Sequence, residues 1–407
     1  MILQGKDIFD VVIIGSGPSG STCAIKLKQL NPSLSVCIVD RHSFPRDKSC
    51  GDGLGPGVHK IITDLQLSSI LSSAAPIEKI SISSPNGNEL NTELPKMGDI
   101  KPLGFVIPRL QFDNALVAEA RKLQVIMLEG YELMDYTDDG IFQTNIMIKN
   151  DEGERIISTK ILIGADGARS KLRRLLNIPY NSDEHTGIAT RYYCEMENYS
   201  ERSLRLDFLK ELNPGYGWLF PVSNTYANIG VGIDVRKLKS GQHDLDKMFA
   251  RYLEYVSNKL KLKVIEDTKL NYILPYGSQM PALLNQHNKV LIGDAASMIN
   301  PFTGEGIYYG MYAGFSLAES IHEKVNNKTD LGSALISFER KFRNKFARHY
   351  RINNKAKHLM NTGFSNLAIK AGKKDPRVLQ EGIELMMGDR RKLSPLNVLR
   401  IIIKGIS

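Results

Sequence analysis

The chain has 407 residues, of which 42% are hydrophobic and 24% charged, and its formal net charge is +9. This composition is ordinary for a soluble globular protein, and the length allows two or three sub-domains. No apolar run approaches the roughly 18 residues that cross a bilayer. The four cysteines show neither a CxxC pair nor a metal-ligand spacing. The chain enters its first predicted strand almost at once, so we expect no signal peptide and a reducing, cytoplasmic location.

The first predicted element is a buried parallel strand, Val11–Ile14, which leads into the glycines of a GxGxxG motif, Gly15, Gly17 and Gly20. A helical pattern and a second apolar strand follow, and that strand ends at Asp40. The glycines allow a tight turn close to a pyrophosphate, the helix N-terminus stabilises phosphate charge, and the acid bonds a ribose hydroxyl. The unit predicts a dinucleotide site and leaves open whether the ligand is FAD or NAD.

The next segment, residues 41–57, is a Gly-rich and basic loop that contains Cys50-Gly51-Asp52-Gly53. Long loops inside compact domains are usually functional, and glycine backbone can approach a planar ring closely. A flexible connector is the alternative. Residues 58–73 then predict a helix, and residues 77–107 predict strands of a second, antiparallel region.

A further helix is predicted to open at Pro108-Arg109. The helix dipole does not favour a cation in a first turn, so Arg109 suggests an anionic partner, with an ordinary surface arginine as the alternative. Residues 125–161 predict a strand meander. A buried strand then runs into Gly164-Ala165-Asp166-Gly167 and a basic helix, which makes a second place where backbone N–H groups and an acid could meet a dinucleotide.

Residues 185–275 are predicted to be β-rich apart from a helix over 244–260, and they are the expected substrate region. Within them Tyr216, Trp218 and Phe220 alternate and so share one strand face. Three aromatic side chains on one face line a ligand pocket or form an ordinary core cluster.

A third special stretch delivers Asp294 from an apolar strand into a turn, followed by the loop 300–306 and a helix from Ile307 to about Val325. The N-terminus of that helix would stabilise negative charge, such as that on the N1–C2=O edge of a reduced flavin. From Leu331 onward the pattern is helical and basic, with eleven Lys or Arg and no acid over 340–374. That excess could face an anionic lipid, a phosphorylated substrate or nucleic acid, and a solvated helical face is the alternative. We expect no nucleic-acid partner, because no known module is present.

The three motifs, in this order, resemble the FAD-dependent oxidoreductases of the p-hydroxybenzoate hydroxylase-like fold. Within that superfamily the chain is most similar to the geranylgeranyl reductase family. The run Tyr216-x-Trp218-x-Phe220-Pro221 followed by Gly230-x-Gly232 matches the substrate-cavity signature of that family, and Cys50-Gly51-Asp52-Gly53 resembles its CGGG loop, with Asp52 in place of a glycine.

This resemblance implies a site for each part of FAD and for the substrate. The implied cofactor residues are Gly15, Gly17, Pro18, Ser19, Gly20, Asp40, Arg41, Cys50, Gly51, Arg109, Asp166, Gly167, Asp294, Pro301, Gly304, Glu305 and Gly306. The implied substrate residues are Tyr216, Trp218, Phe220, Pro221, Gly230 and Gly232. No titratable residue stands out as a proton donor, so Cys50 and Tyr216 are only speculative catalytic residues.

The expected fold is mixed α/β, with a Rossmann-like FAD-binding domain, an interleaved antiparallel-sheet substrate domain and a helical C-terminal region. The expected bounds are 1–75, 100–180 and 285–330 for the first, 76–99 and 181–284 for the second, and 331–407 for the third.

The resemblance implies that reduced FAD saturates isolated C=C bonds of an isoprenoid chain, with hydride from N5 and a proton on the other carbon. A flavin monooxygenase or halogenase acting on an aromatic substrate is the alternative, and a non-enzymatic electron-transfer or binding subunit is a third. No second GxGxxG unit for a stably bound NAD(P) is present, so the expected reductant is NAD(P)H that docks transiently or a ferredoxin-like donor. The basic C-terminal region would suit peripheral contact with a membrane.

Overall fold

The structure is a computed structural model. It describes residues 7–93, 104–140, 143–197, 199, 201–285, 288–326, 331–360, 364–375, 377–378 and 381–382. The predicted C-terminal region after residue 382 therefore lies outside the described residues.

The described strands, in chain order, are β1 (Asp7–Ile14), β2 (Val36–Asp40), β3 (Gly53–Leu54), β4 (Ala75–Ile77), β5 (Lys79–Ser83), β6 (Glu89–Glu93), β7 (Gly104–Val106), β8 (Ile126–Glu129), β9 (Glu132–Asp138), β10 (Thr144–Asn150), β11 (Gly153–Gly164), β12 (Thr186–Met196), β13 (Ser203–Asp207), β14 (Tyr216–Pro221), β15 (Tyr226–Asp234), β16 (Leu262–Pro275), β17 (Leu284–Asn285) and β18 (Lys289–Leu291). The described helices are α1 (Pro18–Leu30), α2 (Pro56–Asp64), α3 (Arg109–Lys122), α4 (Lys171–Leu175), α5 (Val235–Lys239), α6 (Leu245–Ser257), α7 (Ile307–Asn326), α8 (Leu331–Met360) and α9 (Phe364–Lys374).

The first sheet has β1 near its centre, in the order β17-β18-β11-β1-β2-β8. Its strands β18, β11, β1, β2 and β8 run parallel, with Val11 opposite both Val36 and Ile161. The apolar run Val11–Ile14 is buried. A parallel strand covered on both faces needs such a continuous apolar run, which explains why β1 shows no polar alternation. The predicted meander is confirmed for β9, β10 and β11, whereas β8 pairs in parallel with β2.

The second sheet has the order β16-β12-β15-β14-β13-β5-β6. The antiparallel prediction for residues 77–107 is wrong in one pairing, because β5 runs parallel to β13, with Lys79 opposite Ser203. The prediction also missed that β7 is not part of this sheet but pairs with β3 and β4. Turn signals indicate only pairing between strands that follow one another directly in the chain, and β13 comes more than a hundred residues after β5.

The helix expected over 58–73 is shorter than predicted, because α2 ends at Asp64. Gln66 then adopts a positive φ of 61° and turns the chain, and a separate 3-10 turn covers Ser68–Leu71. The helices predicted to open at Arg109 and Ile307 are confirmed as α3 and α7.

Two glycines of α7 allow it to lie against α1. A Cβ added to Gly314 would come 2.3 Å from the Ser19 carbonyl oxygen and 3.0 Å from the Cys23 amide nitrogen, and one added to Gly310 would come 2.2 Å from Ser19 Oγ. The obstacle at Gly314 is backbone, which cannot swing aside as a side chain can. The approach of α7 to α1 therefore depends on the absence of a side chain there.

Gly314→Ala should accordingly destabilise the protein. Overpacking against backbone costs about 3 kcal/mol, the upper end of the usual range, and the gain in helix propensity is about 1 kcal/mol, so we expect a net loss of about 2 kcal/mol. Urea unfolding measures this loss. Lys247→Ala, at an exposed position of α6, is the control and should stay within about 0.5 kcal/mol of wild type. Equal stability of wild type and Gly314→Ala would contradict the close approach.

Candidate active site

Three loops that are distant in sequence meet at the carboxyl edge of the first sheet. They follow β1, β11 and β18, which are adjacent parallel strands. A Cβ added to Gly15 would lie 2.4 Å from the Ala165 carbonyl oxygen, and one added to Gly293 would lie 2.4 Å from Ser19 Oγ. The backbone turns are thus in direct contact, and they form one side of a long groove.

One half of the groove is polar. Asp40 is fixed there by its neighbours, because its Oδ2 accepts from the Ser16 amide at 2.8 Å and from Ser16 Oγ at 2.6 Å, and its Oδ1 accepts from the His42 amide at 2.9 Å. The residues lining this half include Gly15, Gly17, Asp40, Arg41, Asp166, Gly167 and Arg174.

Asp166 lies at this half but is largely occupied by α4. Its carboxylate accepts from Ser170 Oγ at 2.5 Å and from the Lys171 and Leu172 amides at 2.7 and 3.2 Å. Burial raises the pKa of Asp166, and these hydrogen bonds oppose the shift. Asp166 therefore caps the helix that follows it.

The middle of the groove holds a charged cluster that the sequence reasoning missed in part. Asp294 Oδ2 accepts from Lys48 Nζ at 3.1 Å and from Tyr272 Oη at 3.0 Å. Lys48 Nζ also lies 4.3 Å from the centre of the Tyr272 ring. Burial opposes the charge of Lys48, but Tyr272 and Asp294 outweigh that effect and raise its pKa. Lys48 could have been found, because the basic loop 41–57 was predicted to be functional; Tyr272 carries no such signal.

The other half of the groove is apolar and is built around β14. Tyr216, Trp218 and Phe220 all line it, as the alternation predicts. A Cβ on Gly51 would lie 3.0 Å from the Phe220 ring, and one on Gly230 would lie 2.3 Å from the Trp218 ring. Gly51 and Gly230 therefore leave room for the aromatic rings.

The predicted loop 300–306 closes this half from the other side. Gly304, at a positive φ of 72°, lies beside Tyr216, whose hydroxyl donates to the Thr303 carbonyl at 2.7 Å. Gly304, Glu305 and Gly306 line the groove. Pro301, in the same loop, instead lines a separate small cavity together with Gly232. Pro221, at the end of β14, is buried and pairs with Ala227.

Pro18, Ser19, Cys50 and Arg109 also line the apolar half, and Gly20 packs inside α1 against the Gly15 carbonyl. Burial raises the pKa of the Cys50 thiol, so it is protonated at neutral pH. Burial likewise raises the pKa of the Tyr216 hydroxyl. Both groups keep their protons, which is compatible with the speculative role given to each and does not choose between them.

The anionic partner expected for Arg109 is in its own helix. Arg109 Nε and Nη2 each donate to the Asp113 carboxylate at 2.6 Å, and Arg46 Nη1 lies 3.1 Å from the same carboxylate. Arg109 and Asp113 are both buried. Burial opposes the charge of Arg109, but Asp113 outweighs it and raises the pKa. Arg109 thus borders the groove as one half of an ion pair.

Comparison with known proteins identifies the family to which the chain belongs. Residues 9–340 match the FAD binding domain family. A menaquinone reductase from Mycolicibacterium smegmatis is 32% identical over 76% of this chain and 75% of its own length. A digeranylgeranylglycerophospholipid reductase from Methanosphaerula palustris is 27% identical over 83% of this chain and 82% of its own length. A geranylgeranyl bacteriochlorophyll reductase-like protein from Thermoplasma acidophilum superimposes with a TM-score of 0.78 at 19% identity, covering 98% of this chain and 97% of that one.

The chain belongs to the geranylgeranyl reductase family of FAD-dependent oxidoreductases. The fold alone is also shared with p-nitrophenol 4-monooxygenase from Pseudomonas putida, which matches with a TM-score of 0.78 at 16% identity over 96% of this chain and 100% of that one. A flavin-dependent brominase likewise matches with a TM-score of 0.76 at 18% identity, over 97% and 98% of the two chains.

The groove of this family member fits FAD. Gly17, Lys48 and Tyr272 line both the polar and the apolar half, so the two halves are continuous. Among the residues that the structure describes, a Cβ added to Gly17 would meet only Arg46 Nη2, at 3.8 Å, so this glycine leaves its space to the groove. At one end, backbone amides suit a pyrophosphate and Asp40 suits a ribose hydroxyl. At the other end, the aromatic side chains and the glycines suit a planar ring.

Two glycine variants distinguish the groove from the packing beneath it. The apoprotein of Gly17→Ala should have the same free energy of unfolding as the wild-type apoprotein. Its FAD content should fall by at least about ten-fold, because the methyl group enters open groove space. Gly20→Ala should lose stability, because its Cβ would lie 2.0 Å from the Gly15 carbonyl oxygen. Visible flavin absorbance and urea unfolding of both variants provide the test. Full flavin binding by Gly17→Ala would contradict the assignment.

Proposed function

We propose that the protein is an FAD-dependent reductase that saturates C=C bonds of an isoprenoid chain carried by a lipid or prenyl diphosphate. The observation that carries this proposal is the apolar wall opposite the glycine loops. Beside the aromatic face of β14, the groove is lined by Ile77, Ile80, Leu204 and Leu206 from β4, β5 and β13. An extended hydrocarbon gains free energy along such a wall, at about 25 cal/mol per Å² of apolar surface removed from water.

The names of the relatives point to the same substrate chemistry. Menaquinones and digeranylgeranylglycerophospholipids have different polar heads, and both carry polyprenyl chains with isolated double bonds. The feature that they share is therefore the chain and not the head. An apolar wall with few polar groups would select for that shared part.

The residues of this chain would bind, orient and shield the reacting double bond. When bound, reduced FAD supplies a hydride equivalent, which together with one proton saturates one C=C bond. Trp218 and Phe220 would hold the prenyl chain against the ring-binding end, and the loop 300–306 would exclude water from it. Orientation of this kind supports an otherwise slow reaction of an unactivated alkene.

The direct test uses dithionite as the reductant, in place of NAD(P)H or a ferredoxin-like donor. The anaerobic holoenzyme is mixed with a geranylgeranyl lipid, with geranylgeranyl diphosphate or with a menaquinone, and products are measured by mass spectrometry. Because dithionite also reduces the quinone ring, menaquinone samples are reoxidised in air before the measurement. We expect a gain of two hydrogens per reduced double bond, located in the prenyl chain, with at least one of these compounds. Oxygen-dependent NAD(P)H consumption with an oxygenated or halogenated aromatic product, and no hydrogen gain, would instead support the monooxygenase or halogenase alternative.

A charge placed in the apolar wall should block this reaction. Leu206→Arg is expected to lower kcat/KM for the prenyl compound by at least about ten-fold while FAD stays bound, because burying a guanidinium in the wall opposes binding of a hydrocarbon. Ile156→Arg is the matched control, since Ile156 is 54% exposed on β11 and far from the groove lining. Equal kcat/KM in the two variants would count against the wall as the substrate site.

A second part of the proposal concerns where the substrate comes from. The basic stripe of α8, defined as Arg348, Arg351 and Lys355, is exposed, and none of its three cations forms an ion pair with the described part of the chain. A neighbouring side of α8, about a quarter turn away, carries Ile352 and Ala356, which belong to the same apolar cluster as Phe302 of the groove loop and Ile80 of the apolar wall. One helix thus joins the apolar wall to a cationic surface.

We infer that the basic stripe binds the anionic surface of a lipid bilayer, from which a prenyl lipid enters the groove. None of the helices that the structure describes has the length and apolarity to cross a membrane. Each cation near an anionic bilayer contributes about 1 kcal/mol of attraction, which weakens within a Debye length as salt is raised.

Vesicle sedimentation tests the stripe. We expect binding to vesicles rich in phosphatidylglycerol, weak binding to phosphatidylcholine vesicles, and loss of at least about 3 kcal/mol, or roughly a hundred-fold, in the variant with all three cations changed to glutamate. The matched control changes the exposed Lys210, Lys247 and Lys263 to glutamate, which gives the same net charge. Equal loss in both variants would reduce the effect to net charge and contradict a specific surface.

A further inference from the structure

One buried carboxylate beside the groove has no part in the function described so far. Asp52 is 0% exposed and adopts a positive φ of 63° between Gly51 and Gly53, which both line the apolar half of the groove. Its side chain points away from the groove lining, into the second sheet. A buried ionisable group is costly unless hydrogen bonds compensate it, so its partners show what it does.

Within the described part of the chain, the Asp52 side chain accepts three hydrogen bonds. Its Oδ2 accepts from Tyr193 Oη and from Asn228 Nδ2, both at 2.7 Å, and its Oδ1 accepts from the Arg109 amide at 3.3 Å. The bond from Asn228 matters most for the groove, because Asn228 is also bonded to two residues that line it.

Asn228 connects Asp52 to the aromatic face. Its Nδ2 also donates to the Cys50 carbonyl at 2.7 Å, and its Oδ1 accepts from Trp218 Nε1 at 2.9 Å. The indole N–H can only donate, so the amide oxygen must face Trp218 and the amide nitrogen must face the two acceptors. The orientation of Asn228 is therefore fixed by Asp52 and Cys50 on one side and by Trp218 on the other.

We propose that Asp52 is a positioning residue that sets the orientation of Trp218 in the apolar half of the groove, acting through Asn228. The consequence for turnover rests on the proposed function, whereas the effect on Trp218 itself does not. The chain of hydrogen bonds runs from a carboxylate outside the groove to the indole ring inside it, and each bond in it is 2.9 Å or shorter.

The ionisation state of Asp52 should control this chain. Burial raises its pKa to about 6, against the hydrogen bonds from Tyr193 and Asn228 and the charges of Arg191 and Arg109. Cys50 and Tyr226 are the other titratable groups that face it. Burial thus shifts the balance toward the neutral form relative to an aspartate in water, and that form predominates below about pH 6. The neutral carboxyl group accepts hydrogen bonds less strongly than the carboxylate. The hydrogen bond from Asn228 Nδ2 should therefore weaken as the pH falls through about 6.

Trp218 is the only tryptophan in the chain, so a single fluorotryptophan resonance reports on it in the holoenzyme. Fluorine NMR of the wild type should show this resonance titrating with a midpoint near pH 6, and Asp52→Asn should abolish that titration. Tyr193→Phe is the matched control. It removes one donor to the same carboxylate oxygen but leaves Asn228, so the titration should persist with a higher midpoint, because the Tyr193 bond lowers the pKa of Asp52.

Kinetics supply the second readout. Asp52→Asn and Asn228→Leu should each raise KM for the prenyl compound several-fold with FAD content unchanged, and the double variant should resemble the single ones because both break the same chain. Asp52→Gly is the variant to use if Asp52→Asn does not fold, since glycine adopts this φ without strain. A fluorotryptophan chemical shift that changes neither with pH nor on loss of Asp52 would overturn the proposal. Absence of prenyl turnover in the wild type would defeat the proposed function and leave the NMR result standing.

Discussion

The parallel pairing of β11 with both β1 and β18 is the constraint on which the site depends. Adjacent parallel strands end at the same edge, so their following turns meet there whatever the length of chain between them. In this protein those turns bring Gly15, Ala165 and Gly293 together, although they are far apart in sequence. Removing β11 from the centre would separate the nucleotide end from the loop that closes the ring end.

The first sheet and the motif turns could be predicted because their signals are local. The apolar run of β1, the glycines after it and Asp40 each have a spacing that follows from strand and turn geometry. The pairing of β5 with β13 could not be predicted, since no local pattern names a partner so distant in sequence. The same limit explains Asn228, which is an unremarkable polar residue until Trp218 and Asp52 are placed on either side of it.

Charged residues were harder to interpret than glycines. The sequence suggested an anionic partner for Arg109, and the structure shows one in Asp113, one turn further along the same helix. Asp166 was expected at the dinucleotide, and its carboxylate is bonded to the helix that it precedes. A glycine in a motif usually reports a steric requirement of its own backbone, whereas a charge can be satisfied by any opposite partner, and the sequence does not show which one is closest.

The contact between α1 and α7 has a consequence for how the two ends of the groove are related. The first turn of α1 follows Gly17, at the junction where the two halves of the groove meet, and α7 begins just after Gly306 at the ring end. Because Gly314 lets α7 lie against the Ser19 backbone and Gly310 leaves room for the Ser19 side chain, the pair acts as a fixed spacer between that junction and the ring end. The length of cofactor that fits between the junction and the ring end therefore depends on this helix crossing. The apolar wall on β5 and β13 lies outside the spacer, so it can change to suit a different chain without altering that length.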